Sequence, residues 1–211
     1  MQSLSLPLCL ELIKKHGIKT ARHYEIRDEP HLISACKVLG FPVALKIISK
    51  EISHKTEVGA VITAIDSIEE AKSAFRKMKR LEGFEGAIVQ QMHSGIEIII
   101  GAKRDPQFGP TVLIGTGGIY VEILKDFVIG ICPITKKDAH KMVQKLKSYN
   151  ILAGARGKKG ANISKIEDTL LKVSELIIKE NGISELDINP LIANEHEVIA
   201  VDCRVILQRE H

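Results

Sequence analysis

The sequence contains no tryptophan and only five phenylalanines and three tyrosines among its 211 residues. Aromatic side chains are the platforms on which single-stranded nucleic acids stack, and the mild net charge of +4 is scattered along the chain. Both features disfavour a nucleic-acid binder, an interpretation that steeply salt-dependent binding to DNA or RNA would revive. Long apolar runs are also missing, since none approaches the ~20 residues of a membrane-spanning helix. We therefore expect no membrane association.

Cysteine is scarce as well. The four cysteines lie far apart and form no CxxC pair, which disfavours both a disulfide framework and a zinc site and predicts reduced thiols. The N-terminal segment 1–17 has neither a basic n-region nor a small-residue cleavage site, so we predict no signal peptide. Together these features predict a cytoplasmic protein.

The familiar glycine-rich phosphate loops are absent, because neither GxxxxGK[ST] nor GxGxxG occurs. The clustered glycines of GTGGIYVE, at 115–122, are a weak signal by themselves. If the chain binds phosphates, its fold must hold them by other means.

Signals for helices and strands alternate along the chain, whose length allows one large domain or two small lobes. Capping residues and glycines delimit the helices. Helices are predicted over 4–16, from Pro30 to Gly40, and over 68–81, 136–147 and 165–180; strands are predicted over 22–26, 41–49, 86–92, 96–103, 110–115, 119–124 and 127–133, before a closing hairpin at 184–204. This order predicts an α+β fold, with an α/β chain in two layered lobes.

The closing hairpin has polar side chains inside two otherwise apolar strands. Strand side chains alternate between faces, so Asp187 and Asn189 point the same way. If the turn is centred between residues 195 and 196, Asn189 lies opposite Asp202, and Asp187 lies opposite Arg204. Two interpretations stay open. These oxygen ligands share a Mg²⁺ ion that takes its other ligands from water and phosphates, or Asp187 and Arg204 form a salt bridge and Asn189 ends a strand.

Lys46 stands in the middle of the apolar run 41–49. An unpaired ammonium is costly to bury, so Lys46 either meets an anion, for which a phosphate is one candidate, or reaches water from a half-exposed edge strand. The polar segment 49–61 that follows contains His54. On its own, a loop histidine is most simply a solvated side chain.

The order of these motifs is more specific than any one of them. The strand lysine is followed by ISHKTEVGAV, IEIIIGAKRDPQFGP, GTGGIYVE and DINPL. In this order the chain resembles the ATP-grasp fold, and more closely the nucleotide-binding β subunit of the ADP-forming acetyl-CoA synthetases (acetate–CoA ligase, ADP-forming), which are related to succinyl-CoA synthetase. The resemblance covers nearly the whole chain and implies a nucleotide bound between two lobes.

The resemblance implies which residues bind phosphate and metal. Lys46 matches the lysine that contacts the α- and β-phosphates of ADP or ATP. Asn189 and Asp202 match the Mg²⁺ ligands, and Asp187 stands where relatives also have an acid.

The resemblance also implies contacts to the rest of the nucleotide. Gln90, Gln91 and Met92 match the hinge between the lobes, whose backbone reads the adenine edge, and Gln91 stands where relatives often have glutamate. Glu97 matches the acid associated with the ribose. His54 matches a histidine that accepts a phosphoryl group before it passes to ADP.

An enzyme of this family is an acid–thiol ligase, and the resemblance implies that this chain is one part of it. The overall reaction is acyl-CoA + ADP + phosphate ⇌ carboxylic acid + ATP + CoA. Nothing in the sequence looks like a CoA-binding Rossmann domain. We therefore expect a partner α subunit that carries CoA-binding domains and another phosphohistidine, in an α₂β₂ heterotetramer.

Within the chain, we expect an N-terminal helix at 1–20 packed on the main lobe, a smaller ATP-grasp lobe at 21–92, and a larger lobe at 93–211 that includes the metal-binding hairpin. Two alternatives stay open. A stand-alone ATP-grasp carboxylate ligase would turn over ATP without a partner. A non-catalytic nucleotide-sensing subunit would bind Mg·ADP and never carry a phosphorylated histidine.

Overall fold

A computed structural model describes residues 2–49, 60–117, 126–155, 157 and 159–208. The chain forms two compact units. Residues 21–93 make the smaller unit, and residues 1–20 together with 94–211 make the larger unit. In the described ranges, no helix is both long enough and apolar enough to cross a membrane.

Strands and helices alternate in both units. The described strands are β1 (Gln2–Ser3), β2 (His23–Ile26), β3 (Val43–Ile48), β4 (Val61–Ile65), β5 (Gly86–Gln91), β6 (Ile96–Asp105), β7 (Gly109–Thr116), β8 (Phe127–Ile131), β9 (Ile183–Ala193), β10 (Val198–Ala200) and β11 (Arg204–Leu207). The described helices are α1 (Leu6–Lys15), α2 (Glu29–Leu39), α3 (Ile68–Met78), α4 (Lys136–Gln144), α5 (Tyr149–Ala153) and α6 (Ile163–Lys179). The predicted α+β class is confirmed, while the strand predicted at 119–124 lies outside the described residues.

The described part of the smaller unit is a four-stranded antiparallel sheet in the order β2-β5-β3-β4, with α2 and α3 packed on one face. Leu45 joins the core beneath these helices, and because strand side chains alternate, Lys46 lies on the opposite face. Helix α2 begins after Asp28, whose carboxylate accepts the N–H of His31 at 2.9 Å. It ends at Gly40, whose φ of +75° favours glycine.

The larger unit contains a sheet with seven strands among its described residues, in the order β1-β11-β9-β6-β7-β8, with β10 also paired to β9. Helices α4 and α6 pack against it. Arg104 of β6 holds the end of α6, since its guanidinium donates to the carbonyl oxygens of Ile177, Glu180 and Ile183. Carbonyl groups at a helix end lack intrahelical donors, so Arg104 supplies what the helix itself does not.

Strands β9, β10 and β11 form the closing hairpin in the predicted register. Asp187 pairs with Arg204, and Leu191 pairs with Ala200. Because both pairs share one register, the segment that contains Asp202 lies across from the segment that contains Asn189. The predicted register is therefore confirmed.

Helix α4 ends at Gln144, before the predicted end at residue 147. The N–H groups of Lys145 and Leu146 still donate to helix carbonyls, and the next two donate to a buried acid instead. Asp126 accepts the N–H of Lys147 at 2.8 Å and of Ser148 at 2.9 Å, groups that would otherwise donate to carbonyls four residues earlier. Burial alone would raise the pKa of Asp126, but hydrogen bonds from Ser148 and Lys147 hold that pKa below its usual value. Asp126 thus fixes the connection between α4 and α5.

The variant Asp126→Asn should lower the free energy of unfolding by about 2 kcal/mol at neutral pH, because a neutral amide accepts weaker hydrogen bonds than a carboxylate. The depressed folded pKa means that the Asp126 contribution is fully present above the unfolded value and is lost as pH falls through the folded value. In urea titrations, the gap between wild type and variant should shrink below about pH 4. Asp168→Asn, an equal charge change on the exposed side of α6, is the control. Equal stability of Asp126→Asn and wild type at neutral pH would contradict this role.

Candidate functional site

Lys46 lies on an interior strand of the smaller sheet, between Ile88 of β5 and Val61 of β4. It is only 6% exposed, so the interpretation of Lys46 as an edge-strand lysine that reaches water is wrong. A buried ammonium needs groups that compensate its charge. The position therefore suits the binding of an anion such as a phosphate.

Gln90 shares this sheet face. It pairs with Ala44, two residues from Lys46 along β3, and such diagonal neighbours lie ~7–8 Å apart. Gln90 is 2% exposed, and among the described residues its side-chain Nε2 has no hydrogen-bond partner. Because buried polar atoms are rarely left unpaired in native proteins, this nitrogen marks a place where a ligand or a water is expected.

The backbone of the predicted hinge is already hydrogen-bonded. The N–H of Gln91 donates to the carbonyl of Arg22 at 2.9 Å, and the N–H of Met92 donates to the carbonyl of Pro42 at 3.3 Å. A base could use these two donors only if they left their present acceptors. The contact of Gln90, Gln91 and Met92 with a nucleotide stays a prediction, and the Gln90 side chain becomes its most suitable donor.

Strand β9 contains a bulge next to Asn189. Ile98 of β6 pairs with Leu191, but Ile100 pairs with Ile188, so β9 has one residue more than β6 over this stretch. The extra residue falls at 189–190, and Asn189 is exposed there while Ile188 is buried. Bulges commonly redirect side chains beside functional sites, and this one leaves the Asn189 amide accessible.

Negative charge accumulates around Asp187. Burial raises the pKa of Asp187, the carboxylate of Glu185 raises it further, and that of Asp202 adds to the shift, although the guanidinium of Arg204 lowers it. Asp202 itself accepts the N–H of Cys203 at 2.8 Å. The carboxylates of Glu185 and Asp202 thus repel that of Asp187, and a divalent cation would relieve this repulsion.

The donors of the closing hairpin fit a magnesium ion. Asn189 offers an amide oxygen, and Asp187 and Asp202 offer carboxylates, which is the oxygen-only set that Mg²⁺ prefers. In the part of the chain that the structure describes, no three His, Cys, Asp or Glu side chains form a group that could hold a metal. Mg²⁺ typically combines one or two protein carboxylates with water and substrate phosphates. The hairpin therefore suits a metal that binds together with a phosphorylated ligand.

Glu97 is exposed on β6, where its carbonyl accepts the N–H of Gly117 at 2.7 Å. A Cβ atom at position 117 would lie 2.8 Å from the Cβ of Glu97, so this close approach requires glycine. The clustered glycines of GTGGIYVE are a weak signal in the sequence, and the structure explains why position 117 is a glycine. The assignment of Glu97 to a ribose stays a prediction.

His54 belongs to the segment 50–59, which lies outside the described residues. Its assignment as a phosphoryl acceptor therefore stays a prediction. The four cysteines are all described, and each is buried and reduced.

The sequence matches known proteins over nearly its full length. The model of a protein family described as "ATP-grasp domain" matches residues 2–207. "Acetate--CoA ligase [ADP-forming] I subunit beta" of Pyrococcus furiosus is 43% identical over 209 residues, which cover 95% of this chain and 90% of that protein. "Acetate--CoA ligase [ADP-forming] I" of Archaeoglobus fulgidus is 39% identical over 208 residues, which cover 95% of this chain but 30% of that protein.

Solved structures of the dinucleotide forming acetyl-coenzyme A synthetase 1 of Ca. Korarchaeum cryptofilum are also similar. A complex with coenzyme A, Ca-AMPCP and HgCl+ has a TM-score of 0.93 and 34% identity, covering 98% of this chain and 94% of that chain. A complex with coenzyme A and Mg-AMPPCP has a TM-score of 0.87 and 36% identity, covering 98% of this chain and 93% of that chain. In that second complex a phosphohistidine segment points towards the nucleotide binding site.

Proposed function

Because this chain belongs to the ATP-grasp family and, within it, to the β subunits of the ADP-forming acetate–CoA ligases, we propose that it binds Mg·ADP and Mg·ATP and performs the nucleotide half of an acyl-CoA synthetase reaction. The complete enzyme converts acyl-CoA, ADP and phosphate to a carboxylic acid, ATP and CoA. The observation that carries this proposal is the burial of Lys46 on an interior strand. A lysine buried on this face of the sheet is suited to bind an anion, and the phosphates of ADP are such a ligand.

Lys46 binds the α- and β-phosphates, Gln90, Gln91 and Met92 contact the base, and Glu97 contacts the ribose. Phosphoryl transfer asks a protein mainly to position the reactants and to place cations around the moving charge. The burial of Lys46 supports its role, because an ammonium removed from water interacts more strongly with a phosphate than an exposed one does.

Asn189 and Asp202 hold the Mg²⁺ ion through an amide and a carboxylate oxygen, with Asp187 as the additional acid. When bound, Mg²⁺ neutralises part of the charge on the phosphates during transfer. The exposed Asn189 amide and the raised pKa of Asp187 support this set, since a cation would relieve the repulsion among the carboxylates.

His54 accepts the phosphoryl group and passes it to ADP. A neutral imidazole nitrogen forms a bond to phosphorus while the bond between phosphorus and the phosphoryl donor breaks. An oxygen of the β-phosphate of ADP then attacks the same phosphorus, the N–P bond breaks, and ATP leaves. The support for His54 is the match of its segment, ISHKTEVGAV, to the family pattern.

The partner is an α subunit with the CoA-binding domains and a second phosphohistidine, and the assembly is an α₂β₂ heterotetramer in the cytoplasm. The P. furiosus relative is itself named a subunit, and the A. fulgidus relative is a longer protein of which this chain matches 30%. On β8, the alternate residues Phe127, Ile129 and Ile131 are 48%, 57% and 57% exposed, an apolar surface that a partner would bury. The buried, reduced thiols suit a reducing compartment.

Replacement of Lys46 tests the proposed function. We expect Lys46→Met to weaken Mg·ADP binding at least tenfold, a loss of about 1.4 kcal/mol, because methionine keeps a flexible unbranched side chain, one atom shorter, but removes the charge. Isothermal titration calorimetry measures the affinity, and Lys37→Met, on the exposed side of α2, is the matched control. Unchanged affinity in a folded Lys46→Met variant would make Lys46 a structural lysine and would remove the main support for the proposal.

A further inference from the structure

Arg204 lies directly opposite Asp187 in the closing hairpin, and Asp187 in turn lies opposite Gly101 of β6. Residues that face each other across an antiparallel sheet point to the same side, so the guanidinium and the carboxylate share one face of the larger sheet. Leu186 and Val205, the next pair of this ladder, are buried on the other side. Because Arg204 is exposed, its five N–H donors can contact a ligand on this face.

The proposed contacts of the nucleotide follow this face toward Arg204. Glu97 and Gly101 lie on the same side of β6 and are four residues apart, a distance of about 13 Å along a strand. Asn189 of β9 falls between these two positions, within the bulge. A nucleotide with its ribose at Glu97 and its metal-bound phosphates at Asn189 therefore continues toward Gly101. Since a triphosphate and a long arginine side chain together span this distance, the terminal phosphate lies within reach of Arg204.

Gly101 leaves room for a phosphoryl group beside Arg204. A Cβ atom at position 101 would lie 3.4 Å from the carbonyl oxygen of Leu186 and 3.7 Å from Oδ1 of Asp187, which are ordinary contacts. Its backbone does not have a positive φ either, so neither crowding nor conformation explains the glycine. A glycine inside a strand often marks a place where a ligand approaches the backbone closely. The open space at Gly101 lies on the same face as the Asp187 carboxylate and the Arg204 guanidinium.

We propose that Arg204 is a catalytic residue that holds the oxygens of the phosphoryl group while this group moves between the nucleotide and histidine. This inference rests on the proposed function, because it takes Mg·ATP as the nucleotide on this face. The guanidinium is a planar fork that donates two parallel hydrogen bonds to a phosphate. Charge spreads over the three equatorial oxygens during transfer, so a cation in contact with them lowers the barrier. Arg204 itself forms no covalent bond and exchanges no proton.

Nucleotide binding separates this role from a contact to ADP, because ADP lacks the terminal phosphoryl group. Arg204→Gln should bind Mg·ADP with wild-type affinity, but it should bind the Mg²⁺ complex of β,γ-methylene-ATP about tenfold more weakly than wild type does, because the hydrogen bonds to a charged group are lost. Calorimetric titration of the full chain with each nucleotide measures both affinities. Arg80→Gln, at an exposed position of the smaller unit, is the matched control and should behave as wild type.

Catalysis should fall further than binding. With the partner subunit, Arg204→Gln should lower kcat for ATP formation from acetyl-CoA, ADP and phosphate on the order of a hundredfold, the loss expected when one donor to a developing charge is removed. KM for ADP should be unchanged. Arg204→Lys keeps the charge but loses the fork and should have an intermediate rate. Free guanidinium ion should restore part of the activity of Arg204→Ala, which it would not do for a structural residue.

An Arg204→Gln variant that forms ATP as fast as wild type would overturn the assignment. Equal weakening of ADP and β,γ-methylene-ATP binding would overturn it too, because Arg204 would then act on the acids of the closing hairpin, which its charge attracts, rather than on the moving group. These failures differ from failure of the proposed function. If wild type binds neither nucleotide, the proposed function and this inference are both wrong; if wild type and Arg204→Gln bind both nucleotides and form ATP equally well, only this inference is wrong.

Discussion

ADP binding to the Asp202→Ala variant will not respond to Mg²⁺. In wild type, Mg²⁺ should strengthen ADP binding at least tenfold over the same titration in EDTA, which corresponds to about 1.4 kcal/mol. The hairpin register places Asp202 across from Asn189, and burial together with the carboxylates of Glu185 and Asp202 raises the pKa of the nearby Asp187. Removal of one carboxylate leaves too few protein oxygens to hold the ion, so titrations with and without Mg²⁺ should coincide.

The control for this experiment is Asp168→Ala, which removes an exposed acid from α6 of the same unit and should keep the full Mg²⁺ response. If Asp202→Ala responds to Mg²⁺ as strongly as wild type, the acids of the closing hairpin are structural. The interpretation of Asp187 and Arg204 as a salt bridge would then be preferred.

The His54→Ala variant, combined with the partner subunit, should lose acyl-CoA-dependent ATP formation by about a thousandfold or more, as expected when a covalent nucleophile is removed. Binding of Mg·ADP should be unchanged, because the proposed contacts to the nucleotide come from other residues. The measurement is ATP formation from acetyl-CoA, ADP and phosphate, with calorimetry of ADP binding alongside.

His196→Ala is the control for His54, since the side chain of His196 is 80% exposed at the turn of the closing hairpin. Full activity of His54→Ala would make His54 an ordinary loop residue. ATP turnover by this chain without any partner would instead favour the stand-alone ligase, and binding of Mg·ADP with no phosphorylated histidine under turnover conditions would favour the sensing subunit.

The register of the closing hairpin could be predicted from the sequence because the period of a strand and the position of one turn determine which residues face each other. The bulge that exposes Asn189 could not, since it depends on the pairing of β9 with β6, a strand some 90 residues earlier in the chain. The sequence shows that Lys46 is a charged residue within an apolar run, which predicts a special environment for it. Its burial, however, depends on β4 and β5, which flank β3.

Long-range hydrogen bonds account for most of what the sequence did not reveal. Asp126 accepts two N–H groups that follow α4, more than twenty residues later in the chain. Arg104, on strand β6, donates to carbonyl groups at the end of α6. Neither residue stands in a local pattern that indicates capping. The hinge is another example, because the resemblance implied that its backbone reads the base, whereas two of its N–H groups already have acceptors within the smaller unit.

Anomalous diffraction from crystals grown with ADP and Mn²⁺ in place of Mg²⁺ tests the proposed metal site most directly. The account predicts a single strong peak about 2 Å from the oxygens of Asn189 and Asp202, the distance typical of octahedral Mg²⁺ sites, with a phosphate oxygen of ADP as a further ligand. A peak bound to the nucleotide but remote from both side chains would contradict it.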